Sequence, residues 1–313
     1  MIYLFFEKPF MTKQKEKEIA AQDKLPTLDG SLESSIRRLN KVLLTKQANT
    51  TSIEKKRPVQ KRGQGGKIIQ LPLWSDSRRG IPNDLVRGAL FTVGNCRTER
   101  AFRKSMSIAT LGGIDVTYTG EVLRQDDEDV FLQLVHLARL IPLGSCIEFT
   151  AHSLLKSLSW ATNKPSYDRL KRTIQRLTAT GLEISTKTGG YSGSLIRDFE
   201  WREEDGTSSR TWKVRLEPRI ISLFGHVKYS QIVWEKRLQL GNLAKWLHSF
   251  YYSHAQPFPM KVETLRQLCG STTKSKAKFR QLLKSALNEL ISLEFLSSAK
   301  VNSEDDKVYV TRT

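Results

Sequence analysis

The stretch from Pro257 to Leu296 leaves a chain like this few ways to fold. It reads PFPMKVETLRQLCGSTTKSKAKFRQLLKSALNELISLEFL. Its first part has the apolar spacing of a short helix, Cys269-Gly270-Ser271 forms a turn, and a long amphipathic helix follows. That is helix-turn-helix spacing. Phe279, Leu282, Leu283, Ala286 and Leu290 recur at offsets of three and four and define one apolar stripe, with Gln281, Lys284, Ser285 and Asn288 on the other side. Lys274, Lys276, Lys278 and Arg280 crowd the first turns, where a recognition helix meets base edges and phosphates. The alternating runs in AKVNSEDDKVYVT then predict a hairpin, which directly after such a helix is the wing of a winged-helix domain. One basic helix alone is equally a solvated face. Here the pattern occurs twice.

The earlier copy centres on PSYDRLKRTIQRLTATG, with Pro165 in the first turn and Gly181 just past the end. Tyr167, Leu170, Ile174 and Leu177 make its core stripe; Arg169, Arg172 and Arg176 share the opposite face, flanked by Lys164 and Lys171, and suit phosphate or guanine. A strand at Ser145–Phe149 and a helix at Ala151–Leu158 precede it, and LEISTK, LIRDFEWRE and RTWKVRLEP follow as strands. The expected fold class is therefore α+β: two tandem winged-helix (helix-turn-helix) domains, 81–217 and 218–313, after a disordered basic N-terminal tail. The tail covers 1–69, with helical spacing only at Ser31–Leu44, and 70–74 is a linker peptide.

Function classes are narrowed by charge and by what is missing. A formal net charge of +19 points to nucleic acid or an anionic surface. No apolar run approaches the ~18 residues that span a bilayer, the opening MIYLFF reads as no export signal, and no long amphipathic helix carries membrane anchors, so no membrane partner is expected. Three widely spaced cysteines, Cys96, Cys146 and Cys269, offer neither a disulfide framework nor zinc spacing and fit a reducing, cytoplasmic setting. GQGGK at 63–67 lacks the spacing of a P-loop, and the five histidines form no HExxH. Asp126, Asp127, Glu128 and Asp129 could hold a divalent ion, as a primase or nuclease would require, but acidic residues are also favoured where a helix begins, and that reading is preferred. No cofactor, metal or catalytic residue is expected; the chain is read as a binding protein, not an enzyme.

Gln70-Leu71-Pro72-Leu73-Trp74 sets two leucines and an indole at the end of a polar segment. It resembles the pentapeptide by which bacterial proteins dock on the DNA polymerase sliding clamp: Gln70 would hydrogen-bond at the rim while Leu73 and Trp74 fill an apolar pocket, with Leu71 between them. Equally, the same residues could staple the linker to the first domain.

Several segments in order, GALFT, VTYTGEVLRQDDEDVF, IVWEKRLQL and SHAQPFPMKVETLRQLCGS, resemble the TrfA family of plasmid replication initiators, from about Gln70 to the C-terminus. QLPLW lies where that family carries its clamp-binding peptide. The resemblance implies two winged-helix domains that bind tandem repeats (iterons) at a plasmid origin and melting of an adjacent AT-rich segment, which would expose single-stranded DNA. It also implies recruitment of the host initiator and replicative helicase, and dimers that become monomers to act. A winged-helix transcriptional regulator is the alternative. Two recognition helices in one chain would enter successive major grooves ~10 to 10.5 base pairs apart. The expected DNA contacts are Lys164, Arg169, Lys171, Arg172 and Arg176 in the first domain and Lys274, Lys276, Lys278, Arg280, Gln281 and Lys284 in the second.

Overall fold

The computed structural model describes residues 70–95, 97–111, 115–142, 144–186, 189–201, 203–204, 207–208, 211–219 and 229–313. The expected tail and its helix, Cys96 and the turn at Gly112-Gly113 lie outside the described residues. Described from its beginning, the chain forms β1 (Arg78–Pro82), α1 (Asn83–Val86), β2 (Phe91–Thr92), β3 (Phe102–Ile108), β4 (Asp115–Glu121) and β5 (Leu123–Arg124). These lead into a central helix, α2 (Gln125–Ala138), whose Val130, Phe131, Leu132, Leu134 and Val135 are buried on every side, as an apolar run of that length requires.

Next come β6 (Ile147–Thr150), α3 (Ala151–Ser157) and α4 (Lys164–Thr178). Asn163 starts α4: its side-chain oxygen accepts the Ser166 N–H at 3.1 Å, with Pro165 in the first turn. Leu170, Thr173, Ile174 and Leu177 turn inward, while Tyr167, expected in the stripe, is only half-buried and bonds His152 at 3.2 Å. Strands β7 (Gly181–Thr186), β8 (Gly189–Gly193), β9 (Ile196–Glu200), β10 (Glu203–Glu204), β11 (Thr207–Ser208) and β12 (Thr211–Leu216) follow. β6 pairs with β12 and β12 with β9, setting Trp212 opposite Phe149 and Val214 opposite Phe199. The segment LEISTK leaves this hairpin. As β7 it pairs with β4, Val116 opposite Ile184, inside a four-stranded sheet ordered β3-β4-β7-β8.

The same order then repeats. After β13 (Tyr229–Val233), α5 (Trp234–Leu238) and α6 (Asn242–Tyr252) come β14 (Met260–Lys261), α7 (Val262–Leu268), α8 (Lys276–Ser292), β15 (Leu296–Asn302) and β16 (Lys307–Arg312). β14 pairs with β16, and β16 with β15. In both copies a short strand precedes two helices and a hairpin, and that strand joins the hairpin's last strand. Ser275 begins α8, accepting the Lys278 N–H at 3.2 Å. Its buried stripe is Phe279, Leu283, Ala286, Leu287 and Leu290; Leu282, expected inward, is 41% exposed and Leu287 takes its place. The exchange turns the centre of the stripe by roughly 30° round α8, at ~100° per residue, and α6 packs on that helix.

Two apolar clusters divide between Trp234 and Leu240, later than the junction expected at Pro218. The cause is β13, which pairs with β1, Ile232 opposite Arg79, and so carries 229–233 back into the first cluster. No helix among the described residues is long and apolar enough to cross a membrane.

Candidate nucleic-acid interface

Helix α4 turns one face outward, and its cations fall into two groups. Lys164 and Arg172 are exposed and Lys171 is half-exposed, its ammonium 4.2 Å from the centre of the Trp201 ring. Arg169 and Arg176 are engaged by the protein instead. Arg169 lies over Trp160, 3.8 Å from the ring centre, and its Nη2 is 3.1 Å from Asp126. Arg176 donates to Glu121 at 2.8 Å and to Asp127 at 2.5 Å. Arg100, on the loop before β3, reaches the same carboxylates at 3.0 Å and 2.5 Å. Burial opposes the charge on Asp126, but Arg100 and Arg169 outweigh it and hold that carboxyl below its usual range. Burial and the neighbouring Asp126 push Asp127 up to about 6, still ionised at neutral pH.

Of the three arginines expected on one outward face, Arg172 is exposed while Arg169 and Arg176 are engaged in ion pairs. A guanidinium bonded to a buried carboxylate is already neutralised, and taking it away strands that carboxylate. The three arginines do meet in one place, a cleft of about 590 Å³ that they line together with Arg97 and Arg100. Arg97 and Arg100 escaped sequence reasoning because their loop has no periodicity; the cluster of cations in NCRTERAFRK was the available signal. Arg124 fixes that loop: its guanidinium donates to the carbonyls of Asn95, Thr98 and Glu99, the last two at 2.8 Å and 2.7 Å.

On α8, Lys276, Lys278, Gln281 and Lys284 are exposed, as is Lys274 in the turn before it. Lys278 donates to Gln281 at 3.1 Å. Arg280 donates to Asp306, in the turn between β15 and β16, at 2.9 Å and 2.8 Å, and Lys276 stands 3.3 Å from the same carboxylate. Those bonds, Arg280's foremost, hold Asp306 below the usual carboxylate range. Arg280 and Lys276 thus tie the hairpin to the helix, leaving Lys274, Lys278 and Lys284 as the outward cations.

The pentapeptide 70–74 lies against α2. Leu71 and Trp74 are 2% and 4% exposed, in the first apolar cluster, whereas Leu73 is 38% exposed and Gln70 is exposed, its side-chain amide donating to the Arg139 carbonyl at 3.4 Å. The Trp74 indole donates to His136 Nδ1 at 3.0 Å and packs beside Tyr229, ring centres 5.9 Å apart; Arg139 Nε donates to the Trp74 carbonyl at 3.1 Å. Burial, with Arg79 and Arg139 nearby, pushes the His136 pKa down to about 2, so its imidazole is neutral and can accept the indole proton. Filling a partner's pocket with Trp74, as expected from sequence, requires this seat to open.

The acidic run Asp126–Asp129 is buried throughout and paired with cations, beyond the helix-start role expected of it; the Arg124 N–H does bond Asp127 at 2.7 Å in that role. Among the described residues no group of three or more His, Cys, Asp or Glu side chains is placed to hold a metal ion. Cys269 is buried, which pushes its thiol up to about 12.

Fold and site together define an α+β protein in which two strand-helix-helix-hairpin units each present a basic helix. The chain belongs to the TrfA family, whose sequence profile, described as TrfA protein, matches residues 39–312. The plasmid replication initiator protein TrfA of Escherichia coli is 30% identical over 310 residues, 96% of this chain and 80% of that protein. A crystal structure of domains 2 and 3 of RctB is similar in fold at 14% identity, with a TM-score of 0.51 over 74% of this chain and 96% of the other.

Proposed function

We propose that the chain is a plasmid replication initiator that binds tandem repeats at its origin, promotes opening of an AT-rich segment and assembles host replication proteins there. It acts by binding, without catalysis, and in the cytoplasm. The observation that carries this reading is the repeated unit: β6, α3, α4, β9 and β12 in the first, and β14, α7, α8, β15 and β16 in the second, each with its second helix basic and outward. We take each unit as a winged helix, with α4 and α8 entering successive major grooves on one face of the duplex ~10 to 10.5 base pairs apart. Lys164, Lys171, Arg172, Lys274, Lys278, Gln281 and Lys284 are the assigned contacts. Arg169, Arg176, Lys276 and Arg280 hold the helices in place.

The opened strand, the host initiator, the replicative helicase and the sliding clamp complete the partner set, with a dimer that gives way to monomers on the repeats. Segment 70–74 is the assigned clamp contact, made in a state where Leu71 and Trp74 have left their seat. Footprinting of the purified chain on fragments of its own replicon, at physiological salt with competitor DNA, tests the central claim. Evenly repeated protected sites of about two turns each are expected; a single operator beside a promoter, or no specific protection, would overturn it.

A further inference from the structure

A second charge cluster of this molecule lies away from the outward basic faces, between the two apolar clusters. Arg237, at the end of α5, is 0% exposed. Its Nε donates to Asp129 at 2.7 Å, its Nη2 stands 3.3 Å from Glu128 and donates to Gln125 at 3.2 Å, and its Nη1 donates to Ser249 of α6 at 2.7 Å. Lys245, also on α6, reaches the other oxygen of Asp129 at 2.5 Å. Two anions on α2 thus meet two cations from α5 and α6, balanced in charge and buried except for part of Lys245.

The neighbouring residues of the same helix start reach the other way. Asp126 and Asp127 hold Arg169 and Arg176 of α4, while Glu128 and Asp129 hold α5 and α6, and α6 packs on α8. One turn of α2 therefore grips the supports of both outward basic helices. Further polar ties cross beside it: Arg87 to Ser253 at 3.0 Å, Asn242 to the Gly94 carbonyl at 2.9 Å, and Trp246 to the Gly88 carbonyl at 3.3 Å.

A buried ion cluster is a weak source of net stability, because desolvation offsets the attraction and apolar side chains of the same size often do as well. Its bonds are directional, however, and a guanidinium that satisfies two carboxylates and a hydroxyl at once permits one arrangement of the pieces that carry them. An apolar contact in its place would let the units rock. We propose that Arg237, through Glu128 and Asp129, is the positioning residue that fixes the rotation between the two DNA-binding units. The chain then selects repeats by the spacing of their halves as well as by base sequence. This rests on the initiator reading above for its DNA, though not for its geometry.

The test compares binding to a repeat of native spacing with repeats carrying one extra base pair between the halves, which turns one half by about 35°. The wild-type chain should discriminate by at least about tenfold, on the order of what one mismatched pair costs. Arg237→Met combined with Glu128→Gln removes one cation and one anion, leaving Asp129 paired with Lys245. It should bring the ratio to within about threefold while lowering affinity for the native repeat, since loss of discrimination is a difference between two affinities. Simple destabilisation would lower the active fraction equally on both DNAs, so an unchanged ratio overturns the proposal. Lys245→Met, a milder change at a partly exposed position, should shift the ratio in the same direction and serves if the double variant does not fold.

A readout without DNA separates this inference from the initiator reading. Spin labels at Asp168→Cys on α4 and Asn288→Cys on α8, in a chain freed of its own cysteines, should give a narrow distance distribution in the wild-type background. The distribution should broaden in the variants. Should the wild-type chain bind no repeat, the initiator reading fails and the distances alone decide; a distribution equally narrow in all three chains overturns the inference.

Discussion

Gly80→Ala should raise affinity for the sliding clamp while lowering stability. A Cβ at Gly80, in the middle of β1, would meet the Trp74 ring at 2.7 Å, closer than carbon atoms tolerate. Relief requires the indole to leave its place beside Tyr229 and His136 or the β1-β13 pair to shift. Such overpacking costs ~1 to 3 kcal/mol. The cost falls on the seated form alone, because once 70–74 has swung out the added methyl has room. If clamp binding draws on the open form, apparent affinity scales with the open fraction, and a cost of that size raises this fraction ~5- to 150-fold. Trp74→Ala, by contrast, should destabilise the fold by ~3 to 5 kcal/mol as a core truncation and abolish clamp binding as well. The two variants move stability in the same direction and clamp affinity in opposite ones. Titration of the clamp with each full chain, and with an isolated peptide covering 65–79, gives both comparisons. The peptide should bind more tightly than the wild-type chain and about as well as Gly80→Ala. Equal affinity for peptide, wild type and Gly80→Ala, or weaker binding by Gly80→Ala, would refute the idea that the seat and the clamp compete for Trp74.

Three further outcomes follow from the charges. His136 and His248 are held neutral by burial, with pKa values near 2 and 3, against ~6.5 when unfolded. The unfolded chain alone takes up these protons as pH falls from about 6.5 towards 3, so the folded state loses stability across that window. The loss is ~2 kcal/mol per histidine between pH 7 and 5, measurable by denaturant titration. His136→Gln should remove about half of that dependence. Arg172→Ala should weaken repeat binding and flatten the salt slope by about one while leaving the melting temperature unchanged. Arg176→Ala should instead cost ~1.5 to 3 kcal/mol in stability, because buried Asp127 keeps Arg100 and the Arg124 N–H but loses one of its two charged partners, and equal melting temperatures for these two variants would contradict the division of roles on α4. Asp306→Asn should release Arg280 and Lys276 and so tighten non-specific duplex binding, with a salt slope steeper by about one; an unaltered slope would mean that neither cation comes within reach of phosphate.

Local signals were the legible part of the fold. The period of α8, the Pro165 start of α4 and the polar turn before β16 all act over a few positions, and a sequence shows such positions directly. Partners in charge do not obey that range. Arg169 and Arg176 look free on a helical wheel, yet their carboxylates come from Asp126 and Asp127 on another helix, beyond α3 and the strand before it. Periodicity tells which face of an isolated helix is polar; it does not tell what covers that face. The seat of Trp74 stayed open between two readings for a related reason. QLPLW reads as a docking peptide because its neighbours are polar, and the apolar partners that bury it, from α2 and β13, lie 60 and more residues further on. The departure of β7 from the first hairpin has the same origin, since only the presence of β4 beside it decides which sheet LEISTK joins.

A chain with a formal net charge of +19 still places four of its carboxylates together in its interior, at the start of α2. Left to the surface, those charges would subtract from the positive field and would lie beside the outward basic face of α4. Buried, they pair with Arg100, Arg169, Arg176, Arg237 and Lys245, with Glu121 as a further partner of Arg176, and these five cations then serve as struts. The outward set, Lys164, Arg172, Lys274, Lys278 and Lys284 among them, carries the field alone. Removal of an inner cation should therefore change shape and stability with little effect on the salt slope, and removal of an outer one should do the reverse. Salt slope and melting temperature, measured across one series of single substitutions, should fall into two groups along that line; a continuous spread between them would show that α2 does not separate support from contact.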